Sequence, residues 1–138
     1  MNPSKIMTPA RGTRSVKRRP GGKTANATPS ITFQNVFEKL QKSPKRQFLL
    51  LAETFQAMGD SSRVQIVWAL SHGELCVGDV ASLLSMSQPS VSHHLRTLRN
   101  LRLVRVRRDG RTSFYRLDDD HIERLLQEGF RHVEDLAR

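Results

Sequence analysis

"SQPSVSHHLRTLRN", residues 87–100, is the stretch whose reading decides the fold. As a helix it places Val91, Leu95 and Leu98 on one face, the pattern of a buried stripe. Ser87 is a good N-cap, and Pro89 falls in the first turn, where its missing N–H costs nothing. The leading half otherwise carries Gln88, Ser90, Ser92 and His93, short donors and acceptors where a core helix would carry leucines. Such an end suits the DNA major groove, whose base edges present donors and acceptors to the first turns of an inserted helix. Arg96 and Arg99 follow, suited to phosphates. A plain surface helix with a polar face is the alternative, and the flanking sequence weighs against it.

Upstream, "VGDVASLL" (77–84) predicts a short helix. Ala81, Ser85 and Val91 then supply the small contact residue, the turn residue and the inward apolar residue that a helix-turn-helix needs. Downstream, "LVRVRRDGRTSFYRL" (103–117) alternates Val104 and Val106 with Arg105 and Arg107 around Asp109-Gly110, a β-hairpin signal. A hairpin behind a helix-turn-helix is a wing. Its Arg107, Arg108 and Arg111 are placed to reach phosphates or a minor groove, with salt-sensitive affinity. The fold class expected is therefore mainly α with a β-hairpin wing: a winged helix-turn-helix.

Three helices are expected before this unit, over about 32–42, 45–58 and 61–71. Ser43-Pro44 separates the first two and Asp60 or Ser61 caps the third. In the third, Val64, Val67, Trp68 and Leu70 are expected inward. Residues 1–30 hold seven Lys/Arg, no acid and no apolar periodicity, and are expected to be a disordered basic tail. The remaining residues, 31–138, form one domain. The formal net charge is +10, and eight arginines fall within 96–116 against the single acid Asp109. That distribution points to a polyanionic partner. No apolar run is long enough to cross a membrane, and Cys76 is the only cysteine, so a cytoplasmic protein without disulfides is expected.

The last helix, "LDDDHIERLLQEGFRHVEDLAR", carries the apolar stripe Ile122, Leu125, Leu126, Val133 and Leu136, with Gly129 in its middle. His121 and His132 share a face but lie three turns, roughly 16 Å, apart, too far for one ion from one helix. An antiparallel second copy brings Asp119 and His121 of one chain beside His132 and Asp135 of the other. Two imidazoles and two carboxylates make a closed set that zinc accepts. The alternative is that the acids only favour the helix dipole and the histidines are solvated.

The run "ELCVGDVASLLSMSQPSVSHHLRTLRNLRLVRVRRDGRTSFYRLDDDHI" resembles the ArsR/SmtB family of winged-helix metal-responsive repressors, and especially its SmtB-like zinc-sensing branch. The resemblance spans about residues 45–138. It rests on "ELCV-x-D", "SVSHHL", "RRDGR" and Asp-x-His-x(10)-His-x(2)-acid, in order. It implies a homodimer on double-stranded operator DNA, released by regulatory zinc at Asp119, His121, His132 and Asp135, with cobalt or nickel as other candidate inducers. The last ligand of that branch is commonly Glu and here is Asp135. The thiolate site of related sensors is incomplete, because Cys76-Val77-Gly78 lacks a second thiol and the N-terminal arm has neither Cys nor His. Two rival readings are a metal-independent winged-helix regulator and an architectural DNA-binding protein. Nothing resembles an enzyme: there is no nucleophile–base set and no phosphate loop, and a four-ligand protein site leaves no open position for chemistry.

Overall fold

The computed structural model describes residues 30–138. The expected disordered tail therefore lies, apart from Ser30, outside the described residues. The chain divides into two units at Leu40. Helix α1 (Ile31–Lys42) belongs mostly to the first, and all its residues are exposed, with the Phe33 and Phe37 rings stacked along one side.

The second unit runs α2 (Lys45–Met58), α3 (Ser61–Ser71), β1 (Leu75–Cys76), α4 (Val77–Leu84), α5 (Gln88–Asn100), β2 (Val104–Asp109), β3 (Thr112–Leu117) and α6 (Asp120–Leu136). The strands form an antiparallel sheet in the order β1-β3-β2. Strand β1 was not expected from the sequence. Two residues are too few to show an alternation, and they are held by their partners, Leu75 opposite Tyr115 and Cys76 opposite Phe114.

The core gathers around α5. Val91, Leu95 and Leu98 are fully buried, as their spacing predicts, against Ile66 and Val67 of α3, Val80 of α4 and Val104 of β2. Burying each such side chain contributes roughly 1.5–3 kcal/mol. Helix α3 lies at the centre, touching α2, α4, α5, α6 and β3. Its inward arc is consequently wide and takes in Ile66, Val67, Ala69 and Leu70. Trp68, expected inward, falls opposite that arc and is 44 % exposed, its ring tilted against His72.

Local signals explain the boundaries. Asp60 caps α3, its Oδ1 accepting from the Arg63 N–H at 3.0 Å, and that bond holds its carboxyl below the usual range. Ser87 caps α5 by accepting from the Ser90 N–H. Between α4 and α5, Ser85 takes a left-handed conformation (φ 53°) so that the Met86 N–H can reach the Ala81 carbonyl at 2.9 Å. In the hairpin the two central turn residues are Gly110 and Arg111, one position later than the Asp109-Gly110 reading, because Asp109 already pairs with Thr112. Gly110 supplies the positive φ of 59° that the first central position of such a turn favours.

Candidate nucleic-acid interface and metal-ligating helix

Helix α5 turns its buried stripe inward, and this fixes what it presents outward. Gln88, His93 and Arg96 are exposed, while Ser90 and Ser92 flank the stripe and are half-buried. The two adjacent histidines separate. His93 faces solvent, whereas His94 is half-buried and its Nδ1 is enclosed without a hydrogen-bond partner. Ala81 and Val91 are both buried at the α4–α5 junction, as a helix-turn-helix requires.

The three wing arginines are all exposed but differ in surroundings. Arg108 and Arg111 carry no ion pair among the described residues. Arg107 is bound through its guanidinium: Nε donates to Glu74 Oε1 at 3.1 Å and Nη2 donates to the same oxygen at 2.5 Å. Its guanidinium also lies 4.9 Å over the Phe114 ring. The bond lowers the Glu74 carboxyl and raises the Arg107 guanidinium. The sequence reading missed Glu74, because a residue 33 positions away gives no periodic signal. It also missed Arg105 and Arg116, which stand directly opposite each other across β2 and β3. Like charges so placed repel.

Of the four metal-ligand candidates, the fold brings Asp119 and His121 together at the start of α6. His121 Nδ1 lies 3.4 Å from Asp119 Oδ1. That oxygen is also the helix cap, accepting from the His121 N–H at 2.9 Å and the Ile122 N–H at 3.3 Å. His132 and Asp135 lie one turn apart near the other end of the same helix. All four are exposed, the His121 side chain to 83 %. Among the described residues no three His, Cys, Asp or Glu side chains converge as a metal cluster. The donor set fits zinc in chemistry, two nitrogens and two oxygens, and lacks closure within one chain. Cys76 is half-buried at the N-cap of α4.

Helices α2 and α6 also carry exposed apolar side chains. Phe48, Leu51 and Phe55 of α2 and Val133 and Leu136 of α6 are each at least half exposed. Phe55, Met58, Leu125, Gly129 and Val133 line a groove between the two helices. A Cβ at Gly129 would meet nothing within 4 Å.

Comparison with known proteins agrees with this architecture. Residues 60–106 match the family described as bacterial regulatory protein, arsR family. The chain is 42 % identical over 88 residues to a cadmium resistance transcriptional regulatory protein, a CadC homolog of Staphylococcus aureus, covering 63 % of this chain and 73 % of that one. The chain belongs to the ArsR family. A transcriptional repressor SmtB homolog of Synechocystis is 44 % identical over 85 residues, 62 % of this chain and 64 % of that protein. The ArsR fold itself is matched by the solution structure of a homodimeric winged helix-turn-helix DNA-binding domain from Mycobacterium bovis, with a TM-score of 0.63, 24 % identity and coverage of 70 % of this chain and 92 % of that one. The ArsR/SmtB family is one of metal-responsive transcriptional repressors, and its members are regulators rather than enzymes. Among the described residues no helix is long and apolar enough to cross a membrane.

Proposed function

We propose that this chain is a cytoplasmic repressor that binds operator DNA as a metal-free homodimer and is released when zinc is held between the paired α6 helices. The observation that carries the reading is the division of the ligand set. Asp119 and His121 sit at one end of α6, His132 and Asp135 at the other, all exposed on a helix whose neighbouring face is apolar and uncovered. A two-fold axis near the middle of α6 joins the two halves and covers the apolar face in one step. The homodimeric neighbour from Mycobacterium bovis supports the assembly.

Zinc, when bound, would supply four bonds that tie one α6 to the other. Asp119 can serve with its second oxygen, Oδ2, while Oδ1 keeps capping the helix. His121 and His132 must be neutral to ligate, so zinc affinity falls as the solution is acidified. On the DNA side, Gln88, Ser90, Ser92 and His93 would read base edges. Arg96, Arg108 and Arg111 would meet phosphates, and Arg107, expected with them from the sequence, is paired with Glu74. Cobalt and nickel suit the same nitrogen–oxygen set and are the other candidate inducers.

The test is a zinc titration of the complex with a duplex selected by the protein from a random pool. His132→Ala should retain DNA binding and lose zinc-induced release. Cys76→Ser should release as the unmodified protein does. The opposite pattern would move the sensor to the thiol and overturn the assignment.

A further inference from the structure

The wing contains an arginine whose charge is already answered within the protein. Arg107 lies on the outward face of the sheet, opposite Phe114 in the β2–β3 register. Glu74 immediately precedes β1, the strand on the far side of β3. The Glu74 carboxylate engages two of the three guanidinium nitrogens, Nε and Nη2. The third, Nη1, lies 3.7 Å from Asp109 Oδ2 at the wing tip. All three nitrogens therefore face carboxylates, and the flat underside rests over Phe114. Arg108 and Arg111 have no such partner among the described residues.

We propose that Glu74 masks Arg107, so that this wing arginine is withheld from the DNA backbone and Glu74 sets how many phosphates the wing engages. The proposal deepens the DNA-binding reading above and rests on it. Its physical basis is competition. A half-exposed ion pair, screened by solvent, is a weak clamp, and the ring contact adds to it. Such a clamp can keep a guanidinium from making a single phosphate contact, yet it yields when the carboxylate is removed. Arg107 lies only three residues before Gly110, the first central residue of the turn, within an arginine's reach of whatever the tip touches. The masking therefore decides its role, rather than distance.

The prediction is read in salt dependence, which counts phosphate contacts and not fold stability. Each contact adds about 0.9 to the slope of log affinity against log salt concentration. The probe is a short DNA duplex of arbitrary sequence, so base readout does not intrude. Arg108→Gln should lower the slope by about 0.9 per wing, marking a working contact. Arg107→Gln should leave the slope unchanged. Glu74→Gln should steepen it by about 0.9 per wing and tighten binding at low salt. The double variant Glu74→Gln/Arg107→Gln should return to the unmodified slope, which shows that the gain runs through Arg107; unmasking is separated from a simple change of net charge by Arg107→Gln alone, which net charge would lower and masking leaves unchanged. Glu74→Asp keeps the charge beside Arg107 and should keep the original slope.

The proposal is overturned if Arg107→Gln lowers the slope as Arg108→Gln does, or if Glu74→Gln leaves the slope unchanged or weakens binding. It is equally overturned if the double variant retains the whole gain. If Arg108→Gln and Arg111→Gln both leave the slope unchanged, the wing does not touch DNA. The reading of the wing then fails together with the proposal, a result distinct from failure of the masking alone.

Discussion

Asp119 has two jobs in this reading, and they can be separated with two substitutions. Its Oδ1 satisfies two backbone N–H groups at the start of α6, His121 at 2.9 Å and Ile122 at 3.3 Å. Asp119→Ala removes that cap and should destabilise the protein by about 1 kcal/mol, within a range of about 0.5–2 kcal/mol. For a unit of this size that corresponds to a fall in Tm of roughly 4–8 °C per kcal/mol. Asp119→Asn keeps an oxygen in the capping position and loses only the charge at the helix dipole, about 0.3–1 kcal/mol at an exposed site. The metal role follows the opposite logic, because a neutral amide oxygen is a poor substitute for a carboxylate on zinc. Asn should therefore melt close to the unmodified protein without metal and yet respond weakly to zinc. Thermal melts by circular dichroism, without and with zinc at fixed protein concentration, read both quantities. If Asn costs as much stability as Ala, the cap has been misread. If Asn keeps a full zinc-induced rise in Tm and full release from DNA, Asp119 is a cap alone and the ligand set fails.

Other perturbations probe the remaining links. Leu95→Ala, at a fully buried position, should cost about 2–5 kcal/mol, measured as a lowered denaturant midpoint. Gly129→Ala reports on what lies against α6: a free face would give a gain of about 0.8–1 kcal/mol from helix propensity, whereas a close partner helix turns the change into a loss. Sedimentation of that variant should show a weakened dimer, and an unmodified protein that is monomeric at micromolar concentration would contradict the assembly. Ser90→Ala or His93→Ala should flatten discrimination between selected and random DNA, while Arg96→Gln should weaken both alike. Identical behaviour of the two groups in competition binding would refute the division into base-reading and phosphate-binding residues.

The buried stripe of α5 was legible because three leucine and valine side chains at helical spacing can be satisfied in only one way. The caps at Asp60 and Ser87 and the break at Pro44 were legible for a similar reason, each being a local bond or a local prohibition. Trp68 was misread because its burial depends on how many elements surround α3, and a single helix does not reveal that number. The hairpin turn was displaced by one residue because Asp-Gly marks a turn without stating which residue closes the ladder. Glu74 and Arg107 illustrate a further limit. Each looks like an ordinary exposed charge, and only the sheet order β1-β3-β2 makes them neighbours. The division of the candidate ligands along α6 was visible as a distance. The capping bonds of Asp119 were not, since the same residue type suits a cap and a metal.

Between the last residue of the wing, Leu117, and the first of α6, Asp120, lie only Asp118 and Asp119. Both are tied down, Asp118 by its N–H to the Leu103 carbonyl at 3.1 Å and Asp119 by its capping bonds. This joint has little slack, and mechanically it is a short crank between a long arm and a fingertip. His132 stands twelve residues along that arm, about 18 Å from the joint. A sideways shift of only ~1 Å at His132 therefore swings the arm by roughly 3° on an 18 Å radius. The Asp118 bond lands on Leu103, three residues beyond the end of α5, so such a swing would pull on the wing and on α5 at a single point. If zinc is held at the far end of α6 as proposed, its pull would reach the proposed DNA face through this joint without a separate relay.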